Sequence, residues 1–288
     1  MNRMATRVDQ PSSRSRSPLG GFGRLLVCLV AAFLVLAPLG VAVLNGLKSK
    51  GQVMNRPFSI PDPVLWSNYT VILRSHAFWR QLANSTLVML ATTFLVLALA
   101  SAAAFVFARM PFRGREFLFT FYVIGLLFPL AVAILPVYLL IRELGLVDTL
   151  WGIILPQVAF LLPLSVIILR NFFLNIPPEL EDAAYVDGAS ALQFFWKILL
   201  PLSRPALAAV AVLTMVYSWN NFFLPLVALN SESKWTLPLG VMQYQGQYSS
   251  NYGAILAFAS LAMIPAIVFY LLAERQIVAG LTAGSLKG

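Results

Sequence analysis

The residues capable of covalent or metal chemistry are few in this chain. It contains one histidine, His76, and one cysteine, Cys28, which lies inside an apolar run. A single cysteine cannot close an intrachain disulfide, and no Cys- or His-rich metal spacing occurs. One histidine leaves no partner set for a nucleophilic triad and no HExxH motif. The GxxxxGK[ST] phosphate loop is also missing from the sequence, so any ATP that drives this protein must be hydrolysed by another subunit.

The most informative chemistry lies in an acidic segment, PELEDAAYVDGASALQFFWKILLP at 178–201. It begins with carboxylates that favour a helix N-terminus, placed just after two prolines: Glu179, Glu181 and Asp182. Ala183 and Ala184 keep one face of this predicted helix thin, so that another protein can approach its backbone. Gly188 permits a turn, and residues 191–201 are typical of a second, amphipathic helix. The segment predicts a helical hairpin, either a plain one or one used for docking.

The composition is that of a membrane protein. The chain has 59% hydrophobic and 11% charged residues and a mean hydropathy of +0.81, whereas soluble domains carry about 25% charged residues. A helical span takes roughly 20 apolar residues, so 288 residues leave room for about six spans. The formal charge of +9 is explained by basic cytoplasmic loops. Nucleic-acid binding is not predicted, because no basic run is interleaved with stacking aromatics.

The apolar runs divide the chain into four parts. Residues 1–24 are predicted to form a disordered cytoplasmic tail, 25–81 the first span and an external segment, 82–273 a five-helix core, and 274–288 a cytoplasmic tail. The first span is interpreted as an uncleaved anchor, because its apolar run is longer than a signal-peptide core. The predicted spans are 25–44, 82–108, 117–141, 150–170, 205–229 and 253–273.

Charge predicts the orientation of these spans. With the N-terminus inside, 13 Lys and Arg residues lie on the cytoplasmic side and 7 on the other, as the positive-inside rule expects. Both termini and the 171–204 loop are then cytoplasmic. Prolines within the spans favour kinks. Each proline alone is explained by ordinary helix packing, whereas a cluster in the third and fourth spans favours a solvated path: Pro129, Pro136, Pro156 and Pro163.

The acidic segment resembles the EAA loop of ABC importer permeases, the element that docks into the cytoplasmic ATPase. Asp182-Ala183-Ala184 and Gly188 stand at the motif positions, except that the family has Glu where this chain has Asp182. Glu181 precedes it, so either carboxylate could meet the ATPase. Other stretches resemble the carbohydrate-importer permeases of the maltose-permease MalG type: LANSTLVMLATT, ARMPFRGRE, PVYLLIRELGLVDTLWGIILPQ, WNNFFLPL and RQIVAGLTAGSLKG.

This resemblance implies an all-α polytopic membrane protein of the type I importer (MetI-like) fold in a bacterial inner membrane. It also implies four kinds of partner: a homologous MalF-like permease, two ABC ATPase subunits, an external or periplasmic solute-binding protein, and a sugar substrate. The subunit itself would be non-catalytic and would bind no cofactor or metal, since ATP and Mg²⁺ would reside on the ATPases. The C-terminal tail would contact them through Gln276, Gly280 and Thr282, as an extended peptide permitted by its glycines.

Polar residues inside spans are candidates for a substrate path, because such residues are costly in lipid. Sugars suit amide hydrogen bonds and an aromatic face, and the candidates are Gln157, Ser165, Ser218, Trp219, Asn220 and Asn221. Hydrogen bonding between spans is the alternative for each. The substrate could also be a polyol, a glycerophosphodiester or an oligopeptide. An intramembrane enzyme is disfavoured by the single His, the single Cys and the absence of paired intramembrane carboxylates. A stand-alone channel or secondary transporter is disfavoured because neither needs an EAA-type loop.

Overall fold

The computed structural model describes the backbone of residues 18–246 and 250–283, and side chains for 23–246 and 250–271. Within these ranges all regular elements are helical, apart from one isolated bridge between Gln245 and Ser250. The all-α prediction is therefore confirmed. The helices are α1 (Pro18–Gly46), α2 (Lys50–Asn55), α3 (Ser67–Arg74), α4 (His76–Arg109), α5 (Arg115–Ile124), α6 (Leu130–Glu143), α7 (Trp151–Leu174), α8 (Glu179–Val186), α9 (Ala191–Phe194), α10 (Leu200–Leu202), α11 (Arg204–Trp219), α12 (Phe223–Ala228), α13 (Leu237–Gly240) and α14 (Tyr252–Ala283).

Four of these helices are long and apolar enough to cross a membrane: α1, α4, α7 and α14. Two further pairs are bent, Arg115–Leu127 with Leu130–Glu143 by 102°, and Ala191–Leu202 with Arg204–Trp219 by 76°. If each bent pair counts as one broken span, the described chain has six. That total agrees with the six spans predicted from hydropathy.

Within the core, helix boundaries differ from the sequence expectation most clearly in α4 and in the third and fifth spans. α4 begins at His76, six residues before the predicted span, because the Ser75 side chain accepts a hydrogen bond from the Ala77 amide and caps the helix. The predicted third span is split at Pro129, which stands in extended conformation before α6. The predicted fifth span is interrupted after Trp219, and α12 follows only at Phe223.

Proline acts differently at different positions. Pro129 ends one helix and starts another, whereas Pro136, Pro156 and Pro163 lie inside continuous helices. A proline inside a helix removes one backbone donor but does not have to break the element when neighbouring helices hold it. The kink expected from the proline cluster is therefore concentrated at Pro129.

The core of the bundle lies between α4, α7 and α11. Every fourth residue of the second half of α4 is buried, Val96, Ala100, Ala104 and Ala108, with at most 6% exposure. Residues four apart lie on one helix face, and alanines on that face let another helix approach closely. Helix α7 packs against α4 there and contributes buried residues such as Leu169 and Phe173 to the same core.

The two ends of this bundle are built from different connections. We call the end formed by residues 110–115 and 171–203 the EAA end, and the end formed by 47–75, 144–150, 229–246 and 250–251 the far end. The far end contains a fully buried lysine, Lys48, whose Nζ donates to the carbonyls of Arg56 and Pro57 at 3.0 and 2.9 Å. The Asn68 side-chain amide donates to the carbonyls of Gly46 and Lys48.

The termini are described only in part. The predicted disordered tail, residues 1–24, lies outside the described residues as far as residue 17, and α1 begins at Pro18. At the other terminus α14 continues ten residues past the predicted end of the sixth span, to Ala283, and residues 284–288 lie outside the described part.

Candidate coupling site

The predicted hairpin is present at the EAA end. Helix α8 starts at Glu179, with three acidic residues in its first turn, and ends at Val186. Gly188 follows with a φ of 79°, a left-handed conformation that glycine adopts without cost. Ser190 then starts α9 through a capping box with Gln193, and the chain continues through a π-helical turn, Phe195–Leu199, to α10.

One side of the hairpin is buried in the bundle core. Ala184 is 6% exposed and Phe194 is fully buried. The Phe195 ring lies 5.1 Å from that of Phe105 on α4, and the Tyr185 ring 6.2 Å from that of Phe194. Aromatic pairs at these distances attract beyond their buried area, so Phe195 packs the hairpin against α4, and Tyr185 and Phe194 hold its two helices together.

The other side of the hairpin is open. Asp182 and Ala183 are exposed, so of the two alanines predicted to thin one face, Ala183 lies outside and Ala184 inside. Large apolar side chains are exposed as well, among them Val186 at 87%, Leu192 at 65% and Trp196 at 62%. Apolar residues grouped in this way on a helical hairpin are typical of a docking surface for another protein.

An arginine that the sequence analysis did not single out binds the hairpin to the rest of the bundle. Arg109, the last residue of α4, lies with one guanidinium nitrogen 3.3 Å from a carboxylate oxygen of Glu181. The other terminal nitrogen donates to the carbonyls of Phe173 and Ile176, both at 2.6 Å. The second Glu181 oxygen accepts a hydrogen bond from the Tyr185 hydroxyl at 2.8 Å.

The Tyr185 hydroxyl is the donor to Glu181. Burial, and then the hydrogen bond to the Glu181 carboxylate, raise the pKa of Tyr185 above its ordinary value. A phenol is protonated at neutral pH even at its ordinary pKa, so the carboxylate is its acceptor. Glu181 is occupied within the chain, whereas Asp182 points to the open side.

A second arginine lies beside this site, and none of its hydrogen bonds or ion pairs is with the hairpin. The Arg170 guanidinium on α7 donates to the Phe107 carbonyl and pairs with Glu116 at 2.7 Å. It also lies 4.0 Å from the centre of the Phe119 ring, a cation–π distance. Arg170 therefore joins α4, α5 and α7, whereas Arg109 joins α4, α7 and α8.

Comparison with known proteins identifies the family to which this chain belongs. Residues 96–280 match the family described as "Binding-protein-dependent transport system inner membrane component". The chain belongs to this family. It is a permease, a transport subunit and not an enzyme, which confirms the resemblance drawn from the EAA segment.

Individual relatives agree with the family. A putative ABC transporter permease from Caldicellulosiruptor is 35% identical over 85% of this chain and 89% of its own length. The diacetylchitobiose uptake permease NgcG of Streptomyces coelicolor is 32% identical over 88% and 85%. The trehalose transport permease SugB of Mycobacterium tuberculosis is 38% identical over 80% and 84%.

Solved structures share the fold. A chain of a bacterial ABC transporter involved in alginate import has a TM-score of 0.76 and 25% identity, covering 92% of this permease and 99% of that chain. A chain of the MetNI methionine transporter has a TM-score of 0.53 at 20% identity and covers 70% of the permease. The latter likeness shows the fold alone, and together they confirm the MetI-like architecture.

Three of the six substrate-path candidates in this permease form hydrogen bonds with nearby residues of the chain. The Ser165 hydroxyl donates to the Leu161 carbonyl, the Asn220 amide donates to the Val216 carbonyl, and the Asn221 side chain accepts from the Leu224 amide. Gln157 and Ser218 are buried, and their side-chain oxygens have no hydrogen-bond partner among the described residues.

Trp219 and Asn220 are the two candidates that line a cavity. It measures about 320 Å³ between α1, α11 and α14, and its walls are almost wholly apolar. Trp219 is 4% exposed and stacks edge-on against Phe269 at 5.3 Å. The cavity provides an aromatic face and one amide, Asn220, which is less polar contact than a sugar requires.

At the far end of the permease, Asp148 ties two connections together. Its carboxylate accepts from the amides of Asn230 and Ser231, from the Ser231 hydroxyl at 2.6 Å, and from Lys234 at 3.1 Å. These hydrogen bonds, led by those from Ser231, hold the pKa of Asp148 below its usual range, against the effect of desolvation. The sequence shows Asp148 as an acidic residue in a short loop between two spans, but it does not show which residues bind this carboxylate.

Only the backbone is described around the tail residues predicted to contact the ATPases. Gln276, Gly280 and Thr282 lie in the last part of α14, where the backbone is helical rather than extended and the side chains are outside the described residues. In the described part of the chain no group of three or more His, Cys, Asp or Glu side chains could hold a metal ion.

Proposed function

We propose that this permease belongs to an ATP-driven importer of a carbohydrate, a mono- or oligosaccharide. The support lies in its relatives, which carry the names of permeases for diacetylchitobiose, arabinooligosaccharides and trehalose. The observation that carries the mechanism is the hairpin of α8 and α9, which is buried on one side and presents Asp182 and apolar side chains on the other.

The hairpin is the element that meets the ATPase in this proposal. Asp182 is the carboxylate offered to the partner, because Glu181 is already paired with Arg109 and Tyr185. Ala183 and Gly188 give the partner close access to the backbone. ATP binding can shift the permease between inward- and outward-facing states only if the ATPase contacts differ in strength between those states.

The partners follow from the same proposal. The permease pairs with a homologous permease, two ATPase subunits hold ATP and Mg²⁺, and an external solute-binding protein delivers the sugar. The cavity at Trp219 and Asn220 supplies part of the sugar path, and the homologous permease supplies most of its polar contacts.

The orientation is proposed from charge. With 13 of the 20 Lys and Arg residues on one side, the EAA end and both termini are cytoplasmic. Reporter fusions at Gly288 and near Gln247 should then report opposite sides of the membrane. Two fusions on the same side would rule out this arrangement.

The function is tested by transport in proteoliposomes. The complex of both permeases and the ATPase, with its solute-binding protein, is expected to take up labelled oligosaccharides only when ATP is present. The binding protein is first screened against a panel of saccharides, polyols, glycerophosphodiesters and oligopeptides, because it does most of the selecting. Binding of a peptide or a phosphodiester in place of a sugar would overturn the carbohydrate assignment and leave the permease role intact.

A further inference from the structure

We infer that Arg109 is the positioning residue that transmits movement of the coupling hairpin to the membrane-spanning core. The inference rests on the proposed function. It assigns a role to a side chain at the end of α4, about 70 residues before the EAA segment in the sequence.

Arg109 is placed where three elements meet. It ends α4, it donates to two carbonyls at the end of α7, and it faces the first turns of α8. The last carbonyls of a helix have no partner within the helix, and a cation there also meets the negative end of the helix dipole. A carboxylate in the first turn of a helix is favoured by the opposite end of that dipole.

The planar guanidinium suits this position. It donates to Phe173 and Ile176 through one nitrogen while the other faces Glu181, a fork that a lysine ammonium cannot reproduce. The side chains of Arg109 and Glu181 are only 9% and 14% exposed. A pair this well buried is weakly screened by salt and is costly to break from one side.

The apolar contacts of the hairpin transmit its movement less strictly. Phe194, Phe195 and Ala184 pack against the core through contacts that require no fixed angle, so the hairpin can rock on them while these side chains stay buried. The Arg109 fork has direction, since its hydrogen bonds hold only at short distance and favourable angle. A displacement of α8 therefore moves the ends of α4 and α7 with it.

The test compares Arg109 with Arg170 in the reconstituted complex. Arg109→Gln is expected to lower the number of solute molecules transported per ATP hydrolysed about tenfold, within the range typical of coupling between sites. Arg170→Gln removes a comparably bonded arginine from the same end, but one whose hydrogen bonds and ion pair do not involve α8, and should leave that ratio within about twofold of wild type. A ratio is measured because a merely structural loss lowers the amount of active complex and leaves the ratio unchanged.

Two further variants keep the test decisive. Arg109→Lys retains the charge and is the variant to measure if Arg109→Gln does not assemble; it should still lower the ratio about threefold. Glu181→Gln combined with Arg109→Gln should be no worse than Arg109→Gln alone, because paired groups are not additive.

The possible outcomes distinguish a failure of this inference from a failure of the proposed function. A wild-type complex without ATP-dependent uptake would defeat the proposed function. A transporting wild type whose Arg109→Lys variant keeps the full ratio, or an Arg170→Gln variant that loses as much, would overturn the role of Arg109 alone.

Discussion

The two ends of the bundle are stabilised in contrasting ways. At the far end, hydrogen bonds join its connections to one another: Asp148 holds Ser231 and Lys234, while Asn84 donates to the carbonyls of Ser233 and Trp235. At the EAA end, the hairpin leaves Asp182, Leu192 and Trp196 exposed. The connections of the far end are thus bonded to one another, whereas the hairpin of the EAA end leaves open the surface that is proposed to meet the ATPase.

This difference bears on where movement is generated. A connection held by several charge-assisted hydrogen bonds has one favoured geometry, and the Asp148 clamp holds the ends of α7 and α12 together. A hairpin that rests on apolar packing and one arginine can take more than one position. We expect substitutions at the EAA end to alter coupling and substitutions at the far end to alter stability.

The largest effect is expected at Gly188. Gly188→Asp should reduce uptake to background while the subunit stays in the membrane, because a charged side chain would stand on the docking surface. Aspartate tolerates the left-handed conformation better than most residues, and an added Cβ meets no atom within 4 Å, so folding is spared. Uptake and membrane content are measured together.

Gly114→Asp is the matched control at the same end. Gly114 also has a positive φ, 84°, and open space around an added Cβ, but it lies outside the hairpin. Uptake by this variant should stay near wild type. If both variants transport normally, the hairpin does not carry coupling.

A smaller effect is expected from the tail. Truncation after Arg275 should leave assembly intact and reduce uptake and coupled ATP hydrolysis several-fold, because the tail is proposed to lie against the ATPases. Thr282→Cys in a Cys28→Ser background provides one crosslinking site, since Cys28 is the sole cysteine of the chain. A truncated complex that transports at the full rate would make the tail a passive extension.

Asp148→Asn probes the far end. It removes the charge that Ser231 and Lys234 share, so the melting temperature of the complex should fall by several degrees while solute transported per ATP stays unchanged. Glu143→Gln, which removes an exposed charge five residues away, is the control and should melt like wild type. A lowered transport ratio in Asp148→Asn would break the distinction between the two ends.

The smallest effect concerns pH. Because the pKa of Asp148 is lowered in the folded protein, its contribution to stability is present above the unfolded value of about 3.9 and is lost only as pH falls further. The difference in melting temperature between wild type and Asp148→Asn should thus be constant from about pH 8 to pH 5. A difference that already shrinks near pH 6 would mean that the clamp is not formed as described.

Sequence reasoning reached the fold class, the family and the hairpin, because hydropathy, acidic first-turn residues and Gly188 are local signals. It did not reach the pairing of Arg109 with Glu181, since the two residues are far apart in sequence and only packing of α4 against α7 and α8 brings them together. The break after Trp219 was missed for a similar reason. Asn220 and Asn221 resemble polar residues of a span, and their local hydrogen bonds become visible only in the structure.

The buried Lys48 has a consequence for how the permease fits bilayers of different thickness. The hydrogen bonds around α1 gather at its far end, where Lys48, Asn68 and Tyr69 bind the chain around residues 43–57, while residues 25–36 are exposed. A helix fixed at one end meets hydrophobic mismatch by changing its tilt. In thicker or thinner membranes the exposed part of α1, residues 25–36, should therefore change its tilt, while the rest of α1 stays packed against α14 and the core of α4, α7 and α11 keeps its geometry.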